Sequence, residues 1–160
     1  MQTLTVKLIV PEGINLVLGQ AHFIKTVEDI YETLISSNPS IKFGIAFCES
    51  SGPALIRHEN NDKKLGDMAI EFAEKLSAGH VFVILLGNAY PINVLNRIKA
   101  VEEVANIYCA TANALEVILA ETEQGRGVLG IIDGAKSRGI EGEREKNDRH
   151  EFLRKIGYKK

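Results

Sequence analysis

The sequence contains no tryptophan, only two cysteines and 6% aromatic residues. Two cysteines are too few for the disulfide scaffold of a small secreted protein. Cys48 and Cys109 each lie inside an apolar run, which favours buried thiols in a reducing compartment. No apolar run reaches the roughly 18 residues of a membrane-spanning helix, and the N-terminus lacks the charged and apolar regions of a signal peptide. We therefore expect a cytoplasmic protein with no membrane partner.

Strong charge of one sign is also missing, since the formal net charge at pH 7 is -2. A general attraction to nucleic acid is therefore excluded, and we expect no nucleic-acid partner. The charge is unevenly distributed, however. Residues 136–160 carry nine Lys or Arg against five Asp or Glu, a net +4 on a body of -6. This basic segment would attract phosphate, or dock on its own body or on a neighbouring subunit.

The remaining composition is that of an ordinary globular protein. The chain has 160 residues, of which 45% are hydrophobic and 25% charged, and it has no internal repeat, low-complexity segment or Pro/Ser linker. We therefore expect residues 1–160 to form a single domain.

Hydrophobic patterning predicts an α/β fold with one mixed β-sheet and a few packed helices. Gln2–Val10 alternates like a half-buried strand, and Ile14–Leu18 is expected to pair back on it. The apolar run His80–Leu86 predicts a central buried strand. Because strands and helices do not strictly alternate, a regular Rossmann fold is not expected. Further strands are predicted at 42–49, 54–58, 105–111, 115–121 and 128–133. Helices are predicted from 26 to 36, from 61 or 62 to 76, after 91, and from 148 to 156. A polar, mobile loop is predicted at 134–147, before the last helix.

Gly125, Gly127 and Gly130 spell G-x-G-x-x-G. The dinucleotide-binding fingerprint needs a helix after these glycines, whereas a strand is predicted here. A glycine-rich turn between strands is closer to the loop that covers ATP phosphates in protein kinases, whose other signatures are missing. Such a turn lets backbone N–H groups reach phosphate, and Arg126 adds a planar cation. The equally weighted alternative is a hairpin whose glycines only satisfy turn dihedrals.

His80 follows the small residues Ser77-Ala-Gly79 and opens the predicted buried strand. An imidazole at a strand end can act as a general base or accept a phosphoryl group on nitrogen. A hydrogen-bonded histidine with a structural role is the alternative, and from position alone it is the commoner case.

The turn before the third helix carries Asn88, Tyr90 and Asn93, with Pro91 at the first helical position. Free N–H groups at a helix start can hold an anion, and Tyr90 can stack on a purine. Simple helix capping is at least as probable an explanation.

Carboxylates end three predicted strands. Glu49, followed by Ser50 and Ser51, ends one; Glu121 ends another; Asp133 ends a third. If these ends meet at one rim, their oxygens suit Mg²⁺. Taken singly, each is more often a solvated strand end.

Several segments in this order resemble the adenosine-specific kinase family of archaea and bacteria. They are 43–52 (FGIAFCESSG), 78–80 (AGH), 87–91 (GNAYP), 121–127 (ETEQGRG), 132–134 (IDG), 139–141 (GIE) and 153–159 (LRKIGYK). The resemblance covers nearly the whole chain. It implies an α/β domain that binds adenine nucleotides, carries phosphate on a histidine, and assembles as a homo-oligomer, a trimer or a dimer of trimers.

The resulting hypothesis is phosphoryl transfer from ATP to adenosine or a related acceptor. Expected catalytic residues are His80, Glu49 and Asp133, and Mg²⁺ brought with ATP is expected at Glu121 and Asp133. Expected nucleotide-binding residues are Ser50, Ser51, Asn88, Tyr90, Asn93, Gln124, Gly125, Arg126 and Gly127. Two alternatives remain open: a sensor that binds AMP or ATP without turnover, and a nucleotide phosphatase or hydrolase.

Overall fold

The computed structural model describes all residues, Met1–Lys160, as eight strands and four helices. The strands are β1 (Gln2–Leu8), β2 (Asn15–Ala21), β3 (Lys42–Cys48), β4 (Ile56–Asn60), β5 (Val81–Gly87), β6 (Val104–Thr111), β7 (Leu115–Glu121) and β8 (Arg126–Asp133). The helices are α1 (Thr26–Ile35), α2 (Lys63–Leu76), α3 (Pro91–Lys99) and α4 (Glu143–Lys155). All four helices are too short or too polar to cross a lipid bilayer.

The strands form two antiparallel sheets, where the sequence predicts one mixed sheet. One sheet has the order β4-β3-β5-β2-β6 and the other the order β1-β7-β8. The α/β class and the absence of a regular Rossmann arrangement are confirmed. Strand β5 lies at the centre of the larger sheet and all of its residues are buried, as its continuous apolar run predicts.

The five-stranded sheet forms the middle layer of the molecule. Helix α2 and the smaller sheet cover one face, with Phe72 and Leu76 packed beside Val83. Helices α1 and α3 cover the other face, where Ile30 and Ile98 join the second cluster of buried side chains. Successive residues of β5 point to opposite faces of the sheet, so this strand contributes to both cores.

The predicted hairpin between the first two strands is wrong. β1 pairs with β7, with Leu4 opposite Leu119, whereas β2 pairs with β5 on one side and β6 on the other. Burial gives the physical reason. Nearly every residue of β2 is buried, which suits a strand inside a covered sheet, while β1 alternates between exposed and partly buried residues, as expected at a sheet edge.

Two helix starts refine the sequence-based boundaries. Asp62 caps α2 by accepting the Leu65 N–H at 3.1 Å, while Asn61 bonds to the backbone of Ile41 and Phe43. Helix α4 begins at Glu143, so residues 143–147 are helical. The loop predicted at 134–147 is therefore wrong for these last five residues. The Glu145 carboxylate accepts the Gly142 N–H at 2.9 Å, and acidic residues at a helix start are favourable.

Gly44 on β3 is required by the close approach of helix α2. A Cβ at this position would lie 2.2 Å from the backbone carbon of Leu65. We therefore expect Gly44→Ala to destabilise the fold by at least about 2 kcal/mol, a fall of about 5 °C in melting temperature. Gly130 on β8 has nothing within 4 Å of the added Cβ, so Gly130→Ala is the matched control and should melt like the wild type. Equal melting temperatures for the two variants, measured by calorimetry, would contradict this packing.

Candidate functional site

A cleft of about 520 Å³ opens where β3 ends and β5 begins. The turn between β7 and β8 forms its opposite wall, and the C-terminus of α2 closes one side. Its polar and charged lining comes from residues distant in the chain: Glu49, Ser50, Ser77, Thr122, Gln124 and Arg126. The antiparallel pairing of β3 with β5 brings some of these distant residues together, because the end of β3 then lies beside the start of β5.

His80 is fixed at the start of β5 by its backbone and by its ring. Its N–H donates to the Cys48 carbonyl at 2.7 Å, and its carbonyl accepts from the Ala21 N–H at 2.9 Å. The imidazole stacks on Phe47, with ring centroids 5.8 Å apart and an interplanar angle of 9°. The ring is partly exposed and has a fixed orientation. It does not itself line the cleft, but its neighbours Glu49 and Gly79 do.

Glu49 lies directly beside this histidine. Its Oε1 is 3.8 Å from His80 Nε2, and its side chain is only 10% exposed. The same oxygen accepts the Ser50 N–H at 3.2 Å. A carboxylate at this position can accept a proton from a hydroxyl bound in the cleft.

The backbone around the cleft adopts unusual conformations. Four residues other than glycine have positive φ, and Ala54 (49°), Ser77 (46°) and His80 (63°) are at or beside the cleft. Left-handed backbone is costly for residues with a Cβ, and it concentrates at functional sites. Gly79 is also constrained, since an added Cβ would lie 2.8 Å from the Ser50 Cβ.

The glycine-rich segment is a hairpin turn with a strand after it, so the rejection of a dinucleotide fingerprint is confirmed. The turn is closed by the Thr122 N–H donating to the Gly125 carbonyl at 2.9 Å. Neither Gly125 nor Gly127 has positive φ, and neither has any atom within 4 Å of where a Cβ would lie. Turn dihedrals therefore do not demand these glycines. Their effect is to leave the backbone of the cleft wall uncovered.

Arg126 is already engaged within the chain. Its Nε donates to Glu121, and its Nη1 faces the carbonyls of Leu76 at 3.3 Å and Lys75 at 3.4 Å. The guanidinium thus neutralises the negative end of helix α2. Because Glu49 and Glu121 lie close by, the cleft carries no strong positive field. Arg126 still has a second terminal nitrogen, whose N–H groups form none of these bonds.

Asp133 does not join this site within one chain. It ends β8 opposite Leu115, whereas Arg126 begins β8 opposite Glu121, and an eight-residue strand separates the two ends by about 23 Å. Its Oδ1 accepts from Thr111 Oγ1 at 2.7 Å and from Asn113 Nδ2 at 3.1 Å. The expectation that three carboxylate-bearing strand ends meet at one rim is therefore wrong.

The residues expected to hold Mg²⁺ do not fit a shared site. Glu121 is paired with Arg126, and Asp133 lies at the far end of β8. No group of three or more His, Cys, Asp or Glu side chains is placed to hold a metal ion.

Asn88, Tyr90 and Asn93 lie at the other end of β5 from His80, about 20 Å away along a seven-residue strand. The Tyr90 N–H donates to Asn93 Oδ1 at 2.8 Å, so helix capping accounts for Asn93. Asn88 Nδ2 donates to the Ser40 carbonyl at 3.4 Å. The predicted nucleotide-binding residues are therefore divided between two places, with Ser50, Gln124, Gly125, Arg126 and Gly127 lining the cleft and Ser51 in its adjoining turn.

Sequence reasoning assigns no role to Ser77, Gly79 or Thr122, all of which line the cleft. The run of small residues before His80 is the one signal that pointed to Ser77 and Gly79. Thr122 carries no such signal, since only the hairpin brings it to the cleft wall.

The fold and cleft define an α/β protein in which an open glycine turn shares a polar cleft with a carboxylate that lies beside a histidine. A family model described as adenosine specific kinase matches residues 6–159, and the chain belongs to that family. The crystal structure of PH1918 protein from Pyrococcus horikoshii OT3 is similar to it, with 47% sequence identity and a TM-score of 0.94 over 99% of this chain and 98% of that one. No curated protein matches.

Neither cysteine is a nucleophile at neutral pH. Cys48 is buried at the cleft wall and its Sγ donates to the Ala73 carbonyl at 3.6 Å, while Cys109 is partly exposed, contrary to the expectation of two buried thiols. Burial raises the pKa of each thiol to about 11. Because the thiolate is the reactive form, a raised pKa lowers reactivity at any pH below it.

We therefore expect both thiols of the native protein to react slowly with iodoacetamide at pH 8. With a pKa of about 11 the thiolate fraction is about one in a thousand, against about one in ten for an unfolded thiol of pKa about 9. Mass spectrometry of alkylated protein in buffer and in guanidinium measures the two rates. Native labelling as fast as that of the unfolded chain would show that the thiols are not held in this environment.

Proposed function

We propose that this chain is a phosphotransferase that moves the γ-phosphoryl group of ATP to adenosine or a closely related acceptor. One observation carries the proposal: Glu49 lines the same cleft as the open glycine turn and Arg126, and it lies 3.8 Å from His80. The family description, adenosine specific kinase, supports the choice of acceptor.

The phosphates of ATP would lie against the turn between β7 and β8. Gly125 and Gly127 are exposed and place no side chain over the wall, and the second terminal nitrogen of Arg126 supplies charged donors. Ser50 and Gln124 add polar groups to the same walls. Phosphoryl transfer depends mostly on positioning and charge stabilisation, which these groups provide. Mg²⁺ enters the proposal only as the counter-ion of the substrate ATP, held by its phosphates.

His80 has two chemical routes in this arrangement. In the first, an imidazole nitrogen attacks the γ-phosphorus, the bond to the bridging oxygen breaks, and ADP leaves. The 5′-hydroxyl of adenosine then attacks that phosphorus, the P–N bond breaks, and the hydroxyl proton passes to Glu49. In the second, the 5′-hydroxyl attacks the γ-phosphorus of ATP directly, the bond to the bridging oxygen breaks so that ADP leaves, and His80 takes the hydroxyl proton. Glu49 lies beside the ring in both routes.

We further propose that the protein works in the cytoplasm as a homo-oligomer, a trimer or a dimer of trimers, as the resemblance implies. Two large apolar side chains support assembly: Leu55 beside the cleft and Leu129 on edge strand β8 are both more than half exposed. Contact with a neighbouring copy would cover them.

The test is the fate of the γ-phosphoryl group, followed by ³¹P NMR with Mg-ATP in the presence and absence of adenosine. We expect AMP and ADP to accumulate only when adenosine is present. His80→Asn should lower the rate at least about a hundredfold, because Asn tolerates positive φ but offers no basic ring nitrogen. The control His150→Ala removes an exposed histidine of α4, a helix whose following residues lie at the other end of β5 from His80, and should leave the rate unchanged.

The other outcomes contradict the proposal in distinguishable ways. Inorganic phosphate released at the same rate without adenosine would identify a hydrolase. Adenylate binding with no product at all would identify a sensor. Full AMP formation by His80→Asn would remove both roles assigned to this histidine.

A further inference from the structure

A second cavity, of about 770 Å³, lies at the other end of β5 from the cleft. Three parts of the chain form it: the start of α3 at Tyr90–Ile92, the end of β6 at residues 110–112, and the C-terminal segment from Phe152 to Lys159. We call this cavity the C-terminal groove. Most of its lining residues are hydrophobic, unlike those of the cleft, whose lining is mainly polar.

Asn15 gives the groove a fixed hydrogen-bond acceptor. This residue is only 6% exposed and lines the groove at the start of β2. Its Nδ2 donates to the Ala89 carbonyl at 3.2 Å, which sets the orientation of the amide, and Oδ1 has no hydrogen-bond donor from the chain. This oxygen is not among the fully enclosed polar atoms that lack a partner, so it stays open to the groove. A ligand donor in the groove would satisfy it.

The walls of the groove suit a flat ring. Tyr90 is 61% exposed and Phe152 57% exposed, although both line a concave site. Tyr158 joins them and accepts a hydrogen bond from Asn93 Nδ2 at 3.2 Å, which ties the C-terminal segment to α3. Ala110 and Ala112 leave the side formed by β6 shallow. Aromatic side chains around a shallow apolar floor favour stacking of a planar heteroaromatic ring.

We propose that the C-terminal groove binds a planar heteroaromatic ring bearing an amino group, with that amino group donating to Asn15 Oδ1. The choice of adenine, as adenosine or AMP, rests on the proposed function. Lys159 at the groove would face the 5′-phosphate of AMP. Because the groove and His80 lie about 20 Å apart along β5, this is a second nucleoside site and not the reacting one within the same chain.

Calorimetric titration of the full-length protein with adenosine and with inosine tests the proposal. Inosine carries an oxygen in place of the amino group, so it presents an acceptor to Asn15 Oδ1, and we expect it to bind at least about tenfold more weakly. Phe152→Ala and Tyr90→Ala, on different helices, should each weaken adenosine binding about tenfold through lost stacking. Phe23→Ala removes an aromatic ring of similar exposure, 51%, away from the groove, and should bind like the wild type.

The outcomes that overturn the groove proposal differ from the one that contradicts the proposed function. The groove proposal is contradicted if adenosine affinity is unchanged in both groove variants, or if inosine binds as tightly as adenosine. Either result counts even if the wild type still makes AMP. Binding lost in His80→Asn but kept in the groove variants would place the only nucleoside in the cleft. Groove variants that change the association state in sedimentation, with unchanged adenosine affinity, would identify a second copy of the chain as the occupant. Groove binding with no AMP formation contradicts the proposed function alone.

Discussion

The antiparallel pairing of β5 between β3 and β2 is the constraint on which the rest of the structure depends. Every residue of β5 is buried, so the strand is fixed in register by two neighbours and by the packing on both faces. Its start holds His80 against the end of β3 and hence beside Glu49. Its end turns into α3 and holds Tyr90. One rigid strand thus separates the cleft from the C-terminal groove.

The smaller sheet completes the cleft by a different means. β7 and β8 form a hairpin whose turn lies against the C-terminus of α2, where Arg126 meets the last carbonyls of that helix. The arginine therefore joins the two layers of the molecule as well as facing the cleft. We expect its structural and ligand-binding contributions to be coupled, because a phosphate would share a guanidinium that already balances Glu121 and the helix end.

Local sequence patterns predicted the elements well. The central position of β5 and the strand after the glycine turn follow from periodicity. Capping chemistry offered Asn61 or Asp62 for the start of α2, and the structure has Asp62. Strand partners were harder to predict, because pairing depends on contacts distant in the chain. The first two strands are joined by a tight turn typical of hairpins, yet the buried character of β2 places it inside the larger sheet.

The same reasoning explains which site residues came together. Glu49 lies beside His80 because β3 and β5 are antiparallel neighbours. Arg126 reaches the same cleft as Glu49 because the hairpin lies over α2. Asp133 was grouped with them as another strand-ending carboxylate, but β8 carries it to the opposite end of the smaller sheet. A sequence shows that a residue ends a strand, whereas only the topology shows which end of the sheet that is.

The central proposal is that His80 takes part in phosphoryl transfer, and the intact mass of the protein before and after incubation with Mg-ATP tests its phosphohistidine route most directly. The phosphohistidine route predicts a gain of one phosphoryl group that is stable to base, lost in acid, absent in His80→Asn and discharged by adenosine. A phosphoryl group that persists in His80→Asn, or one that adenosine does not remove, would contradict that route.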